Sequence, residues 1–160
     1  MAYPLPPAFP PTTTLHHPSP APSSLLLFLP GNPGIITFYT HYLTLLSQHL
    51  PHTSILGASH AGFTKSADTT YIPLATQVSL KLQLLRWFVE HEGVKKVVLV
   101  GHSMGAWIAM EMLKELVKDN GVEVVGMVGL FPTVIEIAKS SAGRMMGVSF
   151  RCVFIRGRVC

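Results

Sequence analysis

The sequence predicts an α/β fold built on a parallel sheet, and three observations predict it. Short apolar runs alternate with helix-patterned segments along the chain, the mark of strand–helix–strand units. Of the 160 residues 48% are hydrophobic and only 12% charged, with a mean hydropathy of +0.40, which suits a sheet covered on both faces. Finally, Val97-Val98-Leu99-Val100 runs straight into Gly101-His102-Ser103-Met104-Gly105, and a helix pattern starts directly after.

That last stretch organises the rest. Gly-x-Ser-x-Gly between a buried strand and a helix has the form of a nucleophile elbow. The pattern alone arises by chance in roughly one chain in twenty of this length, and its flanks make chance a weaker explanation. The chemistry requires the spacing: Ser103 sits in a strained turn, and Gly101 and Gly105 leave room for strand and helix backbones to approach. The helix start then aims its unpaired N–H groups at the place where negative charge develops.

Taken in order, residues 1–24 form a leader with prolines at 4, 6, 7, 10, 11, 18, 20 and 22, expected to be extended or disordered with at most a short edge strand near residues 12–15. Residues 25–29 predict a strand, and Pro30-Gly31-Asn32-Pro33-Gly34 a rigid turn. Residues 35–50 predict a helix with Ile35, Phe38, Tyr42, Leu45, Leu46 and Leu50 on one broad face. Ile36, Tyr39 and Leu43 then exceed what that face needs, and are expected to meet lipid or substrate. A short strand over 53–57 leads into the loop Ala58-Ser59-His60-Ala61-Gly62-Phe63. Residues 73–91 predict a second helix with a Val78, Leu82, Leu85, Val89 stripe, ended by Gly93. The elbow strand follows, then a helix over 104–118, an apolar strand over 123–131 and the opening of a further helix at 135–139. The 25–143 stretch is expected to form one α/β domain on a sheet of about four strands, and 144–160 an atypical tail.

Composition excludes several functions. The formal charge of +4 comes from scarce acids rather than from a basic stripe, so no nucleic-acid partner is expected. Cys152 and Cys160 fit no metal-ligand spacing, no metal or cofactor is implied, and a reducing, intracellular setting is the default. No signal peptide is evident, and the longest dense apolar run, Leu25 to Leu29, is too short to span a bilayer.

Parallel strands end on one edge, where functional loops collect. Three loops qualify: 30–34, 59–63 and 101–105. For acyl transfer, Ser103 Oγ attacks a carbonyl carbon and the oxyanion needs two donors. Met104 N–H is one candidate; in the 30–34 loop Pro30 and Pro33 have no N–H, which leaves Asn32 as the best-placed second. The triad order in this fold is serine, acid, histidine, yet none of the eight histidines follows Ser103. His102 adjoins the serine and reads as a structural residue of the elbow. His60 reads as a residue lining the site, and less well as a substitute base.

Four motifs in order are similar to those of the lipid droplet-associated hydrolases: Leu29-Pro30-Gly31-Asn32-Pro33-Gly34-Ile35 with Phe38-Tyr39, Ser59-His60-Ala61-Gly62, Gly101-His102-Ser103-Met104-Gly105-Ala106, and Leu130-Phe131-Pro132-Thr133. The resemblance implies an α/β-hydrolase fold and a serine ester hydrolase of the lipase or esterase type. It implies lipid esters, sterol esters among them, as substrates, and residence at lipid droplets and the endoplasmic reticulum rather than secretion. It places Ser103 at the nucleophile position. The family continues with strands and helices that carry its acid and histidine, whereas this chain passes into a tail with four arginines and both cysteines. The chain is accordingly expected to be a truncated product, inactive or impaired, whose apolar outer strand invites self-association. A non-catalytic lipid-binding protein that keeps the hydrolase shape is the alternative. A thioesterase or acyltransferase using the same elbow is another.

Overall fold

The computed structural model describes residues 1–63 and 72–132. Five strands form one sheet in the order β1-β3-β2-β4-β5. They are β1 (Thr14–His17), β2 (Ser24–Leu29), β3 (Thr53–Ala58), β4 (Lys96–His102) and β5 (Glu123–Leu130). The sheet is parallel except for β1, which runs antiparallel to β3 with Thr14 opposite Ala58. The four parallel strands are those expected, and β1 is the short edge strand expected near residues 12–15, placed at 14–17.

β1 belongs to the leader, which is not a free tail. Tyr3 is buried, its N–H donates to Thr14 Oγ1 (2.8 Å), and its ring packs edge-on against His16 and Phe88. Prolines prevent a long strand here, but they leave room for a short edge strand and an apolar anchor.

Helices cover both faces. The larger core lies under α2 (Leu74–Glu92) and α3 (Met104–Leu116), around Leu25, Leu27, Leu29, Phe88 and Ile108. α2 ends at Gly93 in the left-handed conformation (φ +68°), whose N–H bonds to the Val89 carbonyl. The smaller core lies under a 3₁₀ turn (Ile36–Tyr39) and α1 (Thr40–His49), around Leu26, Phe28, Ile36, Leu43, Ile55 and Val100.

α1 turns the other way from the sequence expectation. Ile36 and Leu43 are fully buried, while Phe38, Tyr42 and Leu45 are exposed. The physical reason is that two apolar rows run along this segment at the same helical spacing, Ile36, Tyr39, Leu43, Leu46 and Leu50 against Phe38, Tyr42 and Leu45, and no charged residue marks which of them faces water. α2 is corrected more mildly. Leu82, Leu85 and Val89 are buried as expected, but so are Gln77, Lys81, Leu84 and Phe88. β5 differs too, since Val125 and Val128 are about half exposed and the strand pairs only with β4 among the described residues. The expected helix at 135–139, the tail, Thr133 and both cysteines lie outside the described residues.

Candidate active site

Ser103 stands alone between β4 and α3, with φ +51° and ψ −118°. A non-glycine residue held there stores on the order of 1–3 kcal/mol of backbone strain, which persists only where the surroundings over-determine it. The surroundings do so. Ser103 N–H donates to the Leu130 carbonyl (2.9 Å), extending the β4–β5 ladder by one bond, and its own carbonyl accepts from Ala106 N–H (3.0 Å).

Two glycines permit this turn. A Cβ on Gly101 would lie 2.5 Å from the Ala106 backbone nitrogen. One on Gly105 would lie 2.6 Å from the Pro30 carbonyl oxygen and would also collide with that of Leu29. The helix therefore starts in contact with two strands at once, which no larger residue allows.

The 30–34 loop closes over the elbow. Gly34 N–H donates to the Gly31 carbonyl (2.6 Å), making a tight turn with Asn32 and Pro33 at its exposed tip. Gly31 lies against the elbow itself: a Cβ there would meet Ser103 Cβ at 3.0 Å and His102 Nδ1 at 2.6 Å. Tyr39 Oη accepts from Gly31 N–H (3.1 Å) and shares a hydrogen bond with His102 Nδ1 (2.8 Å). With Gly31 N–H engaged and prolines on either side, Asn32 supplies the remaining N–H of residues 30–33, and it has no partner among the described residues. Met104, the first residue of α3, starts a helix whose leading N–H groups have no intrahelical acceptor. His102 caps the strand end with its ring between Tyr39 and Phe131, at centroid distances of 5.7 and 6.2 Å.

His60 lies beneath the same loop. It is fully buried, and its N–H donates to the Gly34 carbonyl (2.8 Å). Gly34, at φ +81°, leaves no room for a Cβ beside the ring. Neither ring nitrogen has a hydrogen-bond partner among the described residues. Burial, and secondarily the Lys81 ammonium, push the imidazole down to about 3; the Pro30 carbonyl works in the opposite direction without offsetting them. So His60 is neutral and packed under the 30–34 loop at neutral pH, the surroundings of a supporting residue.

Sequence reasoning missed the groups that hold this loop. Lys81 is fully buried, and its Nζ donates to the Ala58 carbonyl (3.3 Å) and to that of Ser59. Desolvation pushes it down to about 7. One turn earlier Gln77 pairs both ways with Ala61, accepting from its N–H (3.0 Å) and donating to its carbonyl (2.7 Å). Ser59 Oγ accepts from Ile36 N–H (2.9 Å), tying the 58–61 loop to the 3₁₀ turn. The signal was present: Gln77, Lys81, Leu84 and Phe88 share one helical face, and two polar residues on an apolar face imply buried partners. Tyr39 gave no such signal.

A parallel sheet with helices on both faces and a strained serine at the strand-to-helix turn places the molecule in the α/β-hydrolase class. A carboxylesterase structure from the thaumarchaeon Nitrososphaera gargenis shares that fold, with a TM-score of 0.60 at 17% identity, over 92% of this chain and 50% of the other. The chain belongs to the lipid-droplet associated hydrolase family, which matches residues 22–158. It is similar to the lipid droplet-associated hydrolases of Gallus gallus (31% identical over 78% of this chain) and Homo sapiens (30% over 78%). It spans 41% and 42% of the length of these two relatives. Among the described residues no helix is long and apolar enough to cross a membrane.

Proposed function

We propose that the protein is a serine hydrolase of lipid esters working at lipid droplets or the endoplasmic reticulum surface. The observation that carries the reading is the strained Ser103 backbone at the β4–α3 turn with Gly31 of a second loop against it. Ser103 is the nucleophile, and the Met104 and Asn32 N–H groups form the oxyanion hole. Such a hole favours the tetrahedral intermediate because its donors are fixed before charge develops. Gly101, His102 and Gly105 shape the elbow. His60 supports the loop from below and is no longer offered as a base, because a ring that resists protonation until about pH 3 is a poor proton acceptor. The name shared by the relatives supports a lipid partner.

The rival reading is a non-catalytic lipid-surface protein of hydrolase shape. Hydrolysis of nitrophenyl esters of increasing acyl length, with Ser103→Ala as control, separates the two. The hydrolase reading predicts turnover that depends on Ser103 and favours long acyl chains. Turnover equal in both proteins contradicts it. A preference for thioesters over esters reassigns the reaction to a thioesterase.

A further inference from the structure

Phe38, Tyr42 and Leu45 are spaced i, i+4, i+7 through the 3₁₀ turn and α1, and are 69%, 41% and 42% exposed. They form one continuous apolar stripe on the outer face of that segment. Three features of its surroundings are unusual. Residues 1–64 contain no Asp, Glu, Lys or Arg; all 12 basic and 8 acidic side chains lie from Lys65 onward. The hydroxyls beside the stripe are already satisfied internally: Thr40 donates to the Thr37 carbonyl, Thr44 to that of Thr40 and Ser47 to that of Thr44, each at 2.8 Å. And the turn that carries Phe38 also carries Tyr39, bonded to His102 beside Ser103.

Each feature lowers the cost of one environment. A surface without fixed charge gains nothing from anionic headgroups and forfeits no ion hydration on entering an apolar layer. Hydroxyls bonded to their own helix lose little when water leaves. The exposed polar side chains beside the stripe, His41, Gln48 and His49, include none of the carboxylate, ammonium or guanidinium groups with which a protein partner's charged rim would pair.

We propose that the Phe38–Tyr42–Leu45 stripe docks on an electrically neutral lipid surface, entering gaps between headgroups rather than binding their charge. Ordinary interfacial helices carry Lys and Arg on the polar face and follow anionic lipid content. This one responds instead to exposed acyl surface, as on a triglyceride core thinly covered by phospholipid. The docked segment lies flat, with its N-terminal end beside the elbow. The inference deepens the lipid-surface reading above and rests on it.

The test is flotation of the 160-residue chain with triolein emulsions coated with phosphatidylcholine, at pH 8. Part of the coat is replaced by phosphatidylserine in a second arm, and salt is varied in a third. The expected bound fraction changes less than about twofold with phosphatidylserine or salt, and falls at least about tenfold in Phe38→Ser/Tyr42→Ser/Leu45→Ser. Tyr42→Glu alone, a charge placed on the stripe, is expected to weaken binding as well, with an unchanged thermal transition showing that the fold is kept. Binding that needs phosphatidylserine and disappears in salt overturns the proposal. So does binding unaffected by the triple substitution, absence of binding to the neutral emulsion, or a stripe-dependent dimer in solution. Ser103→Ala is expected to float like the parent. Flotation without Ser103-dependent hydrolysis of a soluble ester therefore sinks the hydrolase reading alone, and hydrolysis without flotation sinks the docking alone.

Discussion

The elbow and the outer strand use the same residue type to opposite ends. At the elbow, Gly101 and Gly105 sit where a single added carbon would strike backbone atoms of neighbouring elements. In β5, a Cβ on Gly126 would meet nothing closer than Val98 Cγ1 at 4.0 Å. The first pair is demanded by geometry; the second glycine is merely allowed. Around Ser103 every loop is pinned from two sides, by Tyr39, Gln77, Lys81 and Ser59. β5 is held by one ladder and leaves Val125 and Val128 half exposed. Rigidity is concentrated around Ser103 and relaxed at the outer strand.

The sharpest way to break the comparison is Gly105→Ala, expected to cost more than about 3 kcal/mol or to prevent folding, because the colliding atoms are carbonyl oxygens in β2. Urea unfolding reads it, and a loss below about 1 kcal/mol would show that the elbow is not tight. Acid comes next. His60 is pushed down to about 3 in the folded chain from an ordinary value near 6.5, so the unfolded chain binds the extra proton between those limits. Stability is therefore full above pH 6.5 and falls as the pH drops, by about 3 kcal/mol at pH 4 from this group. His60→Phe is expected to flatten that slope; neither ring nitrogen has a partner to lose. An unchanged slope in the variant would place the acid sensitivity elsewhere.

Tyr39→Phe leaves Gly31 N–H and His102 Nδ1 without their shared hydroxyl, and is expected to cost about 1–2 kcal/mol and to speed amide exchange at Gly31. The smallest effect belongs to β5. Gly126→Ala is expected to stabilise by roughly 0.5 kcal/mol, since the space is open and glycine weakens a strand. A loss there comparable to that of Gly105→Ala would erase the contrast between the two regions.

The elbow, its strand and its helix were legible in the sequence because their constraints are local: five residues, two small ones at fixed offsets, an apolar strand before and a helix pattern after. The Pro30–Gly34 turn was legible for the same reason. The outward face of α1 was not. A segment with no charged residue has no obvious polar side to turn to water, and its two apolar rows share the same helical spacing. Lys81 was hidden for another reason, since its partners among the described residues are backbone carbonyls 22 and 23 residues away, which no local pattern announces. In the leader the short edge strand was legible but the anchor was not, because proline density excludes long elements and says nothing about a single buried tyrosine.

The most direct test of the account is the site of fluorophosphonate attachment, read by tandem mass spectrometry on the folded 160-residue chain and on the same chain in urea. The account predicts one adduct, on Ser103, formed only by the folded protein, because the nucleophile and its oxyanion donors exist only when the 30–34 loop and the elbow are brought together. An adduct on another serine, or one on Ser103 that forms as fast in urea, would contradict it.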